Sequence, residues 1–130
     1  MLKLLVILGS SVILSACIIQ NHPITYKYIR FGNGGGFTGE IEGYKLVNNE
    51  LYRLNSPEVL RVIPDNELNI INTKLSSLDS LRYNHPANMY RFIKIEYQNN
   101  TSVEYQWGIN EEPPNELKRF FDILMEATNH

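Results

Sequence analysis

Met89-Tyr-Arg-Phe-Ile-Lys-Ile-Glu-Tyr-Gln98, Asn99-Asn100 and Thr101-Ser-Val-Glu-Tyr-Gln-Trp107 read together as a β-hairpin. β-Branched and aromatic residues fill both arms, and the Asn pair stands where a tight turn needs it. In the second arm Val103, Tyr105 and Trp107 alternate with Glu104 and Gln106, the period-two pattern of a strand with one apolar face. That face has to be covered by something else in the chain.

The cover is found on both sides of the hairpin. Downstream, Pro113-Pro114 introduces a helix in which Leu117, Phe120, Phe121, Leu124 and Met125 form one apolar stripe, with Glu116, Lys118, Arg119 and Asp122 on the polar face. Upstream, Leu68, Ile71, Leu75 and Leu78 recur at helical spacing after Pro64, and Asp65 and Glu67 sit where the helix dipole favours negative charge. The spacing predicts a helix from about Asp65 to Ser77.

Before that helix the chain is β-rich. Ile24 to Phe31 mixes β-branched and aromatic residues with charges and is expected to stop at a glycine cluster. Phe37 to Val47 is a second strand, joined through Asn48-Asn49 to Glu50–Leu54, and Val59 to Ile63 is a further short strand ending at Pro64. The expected fold is α+β: an antiparallel sheet of about four to five strands with two amphipathic helices packed on one face.

The N-terminus carries a different signal. Met1-Leu2-Lys3 is a short positive region, and Leu4 to Leu14 is an apolar run diluted only by Gly9, Ser10 and Ser11. The run is well short of the roughly 20 residues that a membrane-spanning helix needs, so it reads as a secretory signal. Leu14-Ser15-Ala16-Cys17 resembles the bacterial lipobox, with cleavage expected between Ala16 and Cys17 and lipid on the Cys17 sulfur. The expected organisation is a signal peptide at 1–16, a lipidated tether at 17–23 and a single α+β domain at 24–130. Ile18 stands where the inner-membrane retention signal of enteric bacteria places Asp, and Ile18 to Ile24 holds no acidic cluster. These features favour the outer membrane and its periplasmic face.

Removal of sixteen residues leaves 114, enough for one domain with its own core. That mature chain carries eleven basic and fourteen acidic side chains, interspersed, which argues against a nucleic-acid partner. Oligomeric state is not legible. Cys17 is the single cysteine, so lipidation would remove the one thiol from redox, metal and nucleophilic chemistry.

The remaining chemistry can be checked residue by residue. His22, His85 and His130 are scattered, without zinc-type spacing. Glu40 and Glu42 share one side of a strand and Glu111-Glu112 share a loop, but surface carboxylate pairs are ordinarily solvated charge. No serine has a G-x-S-x-G setting. Neither a catalytic set nor a cofactor is expected. Trp107 and the tyrosine-rich strands would serve a ligand groove or the core equally well.

Gly32-Asn-Gly-Gly-Gly-Phe-Thr-Gly39 is the most unusual block of the chain. Gly34, Gly36 and Gly39 satisfy G-x-G-x-x-G formally, yet the nucleotide-binding form of that motif needs a helix directly behind it, and a strand is expected here. The block then serves either as a wide turn or bulge, or as a loop whose bare backbone approaches another protein with Phe37 as an apolar contact.

This block after a first strand, the apolar helix, Pro86-Ala-Asn-Met-Tyr-Arg-Phe-Ile-Lys-Ile95 and a final Pro-initiated Leu-rich helix resemble the emfourin-type family of small inhibitors of thermolysin-like metalloproteases. The same features resemble a group of uncharacterised lipoproteins from Bacteroidetes-type bacteria. The sequence departs from the inhibitor pattern at Ala87-Asn88, where that pattern has an acidic residue after its proline. The resemblance implies an α+β fold and a protein partner in place of a substrate. Its candidate partner-binding residues are Gly35, Gly36, Phe37, Thr38 and Gly39, then Asn88, Met89 and Tyr90. The rival expectations are an envelope assembly lipoprotein and a small-ligand carrier with a pocket lined by Trp107 and Tyr105.

Overall fold

A computed structural model describes residues 25–129. The expected signal peptide, Ala16, Cys17, the whole tether with His22, and His130 lie outside the described residues. Within them the chain forms β1 (Tyr26–Gly35), β2 (Ile41–Val47), β3 (Glu50–Arg53), β4 (Val59–Val62), α1 (Asp65–Ser76), β5 (Met89–Tyr97), β6 (Ser102–Gly108) and α2 (Asn115–Ala127). The strands make one antiparallel sheet in the order β4-β3-β2-β1-β5-β6.

The α+β class and the two helices agree with the sequence, but the sheet has six strands instead of four to five. The four-residue segments β3 and β4 are both long enough to pair, with Leu51 opposite Leu46 and Arg61 opposite Leu51. Both Asn turns form as read. Asn48 and Asn100 hold positive φ of 55° and 68°, a region that Asn enters more cheaply than most residues. Asn99 Oδ1 also accepts hydrogen bonds from the Thr101 backbone N–H and hydroxyl.

Two expectations need correction. The glycine cluster does not stop β1, which runs through Gly32, Asn33 and Gly34 to Gly35, paired with Phe92, Arg91, Tyr90 and Met89 of β5. Glycine weakens a strand by lacking a side chain to pack. Here the gap over Gly34 is filled by the Tyr90 ring, so close that a Cβ on Gly34 would lie 2.6–2.9 Å from its atoms. The second strand starts at Ile41, not Phe37, because residues 36–40 form the β1–β2 connection.

Ile29, Phe31, Leu46, Leu51, Ile93, Ile95, Tyr105 and Trp107 cover one face of the sheet and are buried with Leu68, Ile71 and Leu75 of α1 and Leu117, Phe120, Phe121 and Leu124 of α2. Each such burial contributes roughly 1.5–3 kcal/mol. Leu78, read as the last position of the α1 stripe, lies beyond the helix end and is still buried. Below it the Tyr105 hydroxyl donates to the carbonyls of Leu78 and Leu81, at 3.1 Å each. No helix among the described residues is long and apolar enough to cross a membrane.

The two edges of the sheet are treated differently. Beside β6 runs the segment 83–85, with the Gln106 N–H donating to Tyr83 O and the His85 N–H to Gln106 O. β4 is kept to four residues, with Pro57 before it and Pro64 after it, and its Arg61 forks onto Glu67 at 2.8 Å while also donating to Ala127 O.

Tyr26 opens β1 fully buried, and among the described residues its hydroxyl has no hydrogen-bond partner. Burial pushes its phenol far above the usual range of about 10. The unfolded chain therefore ionises first, and stability present below pH ~10 is lost as pH rises past that value. Tyr26→Phe should leave stability within about 1 kcal/mol of the parent at neutral pH, since a buried hydroxyl without a partner contributes little. It should also move the midpoint of alkaline unfolding upward. Urea melts followed by circular dichroism at neutral and alkaline pH check both, and a loss of stability near 3 kcal/mol at neutral pH would contradict the assignment.

Candidate functional site

The two candidate segments are 49 or more residues apart in the chain and adjacent in space. Antiparallel pairing of β1 with β5 sets Gly34 opposite Tyr90 and Gly35 opposite Met89, and the Gly36 N–H donates to Asn88 O at 2.8 Å. Beyond that bond the chain turns, with the Gly39 N–H reaching Gly36 O at 3.3 Å and the Glu40 N–H reaching Thr38 Oγ1 at 3.4 Å. Phe37 sits at the tip of this hairpin, fully exposed.

Its surroundings share that character. Met89 is 57% exposed, Ile41 is 43% exposed, and Ile109 is held beside Met89 by a 3.1 Å bond from its N–H to Met89 O. Phe37, Ile41, Met89 and Ile109 therefore leave an apolar end on the sheet, outside the core. Isolated exposed apolar residues are ordinary, but several at one end of a domain are what a partner-binding surface requires. A shallow depression bounded by Ala87, Asn88, Met89, Gly108, Ile109 and Glu111 lies next to it.

The loops at this end are braced. His85 stacks on Tyr83 with ring centroids 4.0 Å apart and places Nδ1 3.2 Å from Glu111 Oε2. The Tyr83 hydroxyl donates to the same carboxylate oxygen, and that bond holds the phenol above its usual range. Segment 83–85 is thereby fastened to the loop after β6, and the Asn88 carbonyl that receives Gly36 follows directly.

Not every sequence-read residue faces the tip. Tyr90 lies on the open face of the sheet, over Gly34 and edge-on to Phe92 at 6.2 Å. Trp107 and Tyr105, read as the lining of a ligand pocket, are each 1% exposed and belong to the core that meets α2 and the 78–81 turn, although Trp107 also backs a depression shared with Arg91, Ile109 and Phe121. Ile41 and Ile109 were missed. Ile41 opens a strand with Gly43 at its next same-side position, and Ile109 follows the last residue of β6, so neither stands out by period.

Among the described residues no three His, Cys, Asp or Glu side chains gather to hold a metal. No family model, curated protein or solved structure matches the chain. What the arrangement offers is a hairpin end, tied to β5 through Gly36 and Asn88, that carries apolar side chains beside bare backbone.

Proposed function

We propose that the chain is a lipoprotein, anchored through lipid on Cys17 at the periplasmic face of the outer membrane, whose domain binds a protein and performs no chemistry. The partner proposed is a secreted thermolysin-like metalloprotease, which the domain inhibits by offering the 36–40 tip and the neighbouring Asn88–Met89 backbone to the protease cleft. The observation that carries this reading is the fully exposed Phe37 on a tip bonded to the second candidate segment through Gly36 and Asn88. An enzyme cleft accepts extended backbone by adding main-chain hydrogen bonds and taking alternate side chains into pockets. A single exposed aromatic at the centre of such a contact commonly dominates its affinity. The glycine block also resembles that of the emfourin-type inhibitors.

Titration of a thermolysin-like protease with the full-length protein in detergent is expected to suppress peptide hydrolysis at micromolar concentrations. Phe37→Ala should weaken that suppression at least about tenfold, since truncating an interface hot spot costs roughly 2 kcal/mol or more. The melting temperature should not move, because the ring contacts solvent only. Undiminished proteolysis at micromolar excess of the parent protein would end the inhibitor reading. Equal potency of Phe37→Ala would place the contact elsewhere.

A further inference from the structure

The face of the sheet turned away from the helices carries a row of like charges. Lys45 on β2, Arg30 on β1 and Lys94 on β5 are direct cross-strand partners, with Tyr52 of β3 beyond Lys45 and Glu104 of β6 beyond Lys94. Opposed side chains in a sheet stand roughly 5 Å apart, and like charges so placed destabilise it. Lys45 has its Nζ 4.8 Å above the Tyr28 ring. Arg30 and Lys94 make no hydrogen bond or ion pair among the described residues, although both are half-buried. Of the nearby carboxylates, Glu96 is engaged by the Tyr28 hydroxyl and Glu50 by the Tyr52 hydroxyl, which leaves Glu104, across from Lys94, as the one counter-charge in line with the row.

Next to these cations a cleft of about 160 Å³ is lined by Arg30, Lys94, Glu104, Ile41, Tyr90 and Phe92. Phe92 is only 7% exposed although it lies outside the main core, so a wall of the cleft is desolvated already. The Tyr90 ring is fixed in place by its seat on Gly34.

We infer that this cleft is a binding site for a small monocarboxylate with an apolar, ring-sized body. Arg30 would take the carboxylate on its planar fork, with Lys94 adding a second charge. Ile41, Tyr90 and Phe92 would contact the body. Two cations against Glu104 leave one net positive charge on the lining, which suits a monoanion better than a phosphate dianion. The cleft is too small for a folded partner. The inference does not rest on the protease reading: the cleft shares Ile41 and Tyr90 with the candidate site, while Arg30 and Lys94, on which the test acts, have no part in it.

The test is calorimetric titration of the full-length protein in detergent with phenylacetate, with its uncharged twin phenylacetamide, and with inorganic phosphate. Phenylacetate should bind at least about tenfold more tightly than phenylacetamide, the increment of one charge-assisted bidentate contact. Arg30→Gln should remove that preference, and Lys94→Gln should reduce it severalfold. Relief of repulsion should leave the melting temperature of ligand-free Arg30→Gln at or above that of the parent, while phenylacetate raises only the parent's. Equal binding of the acid and the amide, or a preference retained in Arg30→Gln, would overturn the proposal. Phosphate binding as tight as phenylacetate would overturn the carboxylate assignment. Lys94→Gln carries the same comparison independently should Arg30→Gln fold poorly.

Discussion

Gly35→Val is expected to destabilise the domain by roughly 3–5 kcal/mol, a large share of the 5–15 kcal/mol that a domain of this size possesses. Gly35 has φ +94°, and a Cβ placed there would stand 1.8 Å from the carbonyl oxygen of Asn88 and 2.8 Å from its carbon. Both atoms are backbone, so no rotamer change makes room. Relief requires the start of β5 to move away from β1, which breaks the Gly36–Asn88 bond and separates the two halves of the candidate site. Left-handed strain of about 1–2 kcal/mol adds to the overlap. Gly36→Ala is the matched control: φ is +86° and nothing lies within 4 Å, so only the strain remains. Guanidinium unfolding of both variants measures the difference, and similar losses would show that the close approach to Asn88 is not what demands glycine.

Trp107→Ala should cost roughly 3–5 kcal/mol, the range for removing a large aromatic from a packed core. The indole is 1% exposed and meets the Phe121 ring edge-on, with centroids 5.3 Å apart and planes at 83°. Phe121 in turn has the Arg91 guanidinium 5.7 Å from its ring, so the contact ties β6, α2 and β5 together. Because the two rings share one interface, Trp107→Ala and Phe121→Ala should be non-additive, the double variant losing about 0.5–1.5 kcal/mol less than the sum of the singles. Urea titration of the four proteins checks this. Full additivity would show that each ring packs on its own.

These two sites differ in how far the sequence disclosed them. Trp107 was legible as a strand residue because Val103, Tyr105 and Trp107 alternate with polar neighbours, and period two is a local property. Whether it faced a groove or the core stayed open in the sequence, because that depends on how the helix stripe at Leu117, Phe120, Phe121 and Leu124 docks on the sheet. The glycine block was misread at one end for a physical reason. Intrinsic preference says that Gly32 to Gly35 interrupt a strand, whereas their extension is imposed by β5, a partner more than fifty residues away. Long-range pairing of that kind leaves no periodic trace. The same holds for the union of Gly36 with Asn88, and for the Lys45–Arg30–Lys94 row, three unremarkable basic residues until register aligns them. Phe37 was read at the start of a strand, whereas it belongs to the turn and is fully exposed.

β1 enters the domain at Tyr26, directly behind the proposed tether, and leaves it beside the 36–40 tip. Ten strand residues extend about 33 Å. Under the proposed anchoring at Cys17, the strand acts as a stiff arm that holds the tip a domain's length from the point where the domain begins, and pairing with β2 and β5 and packing against α2 keep the arm from folding back. Height above the bilayer then becomes a selection rule. Proteins diffusing in the aqueous space meet the tip first, while those lying flat on the membrane meet only the base of the domain.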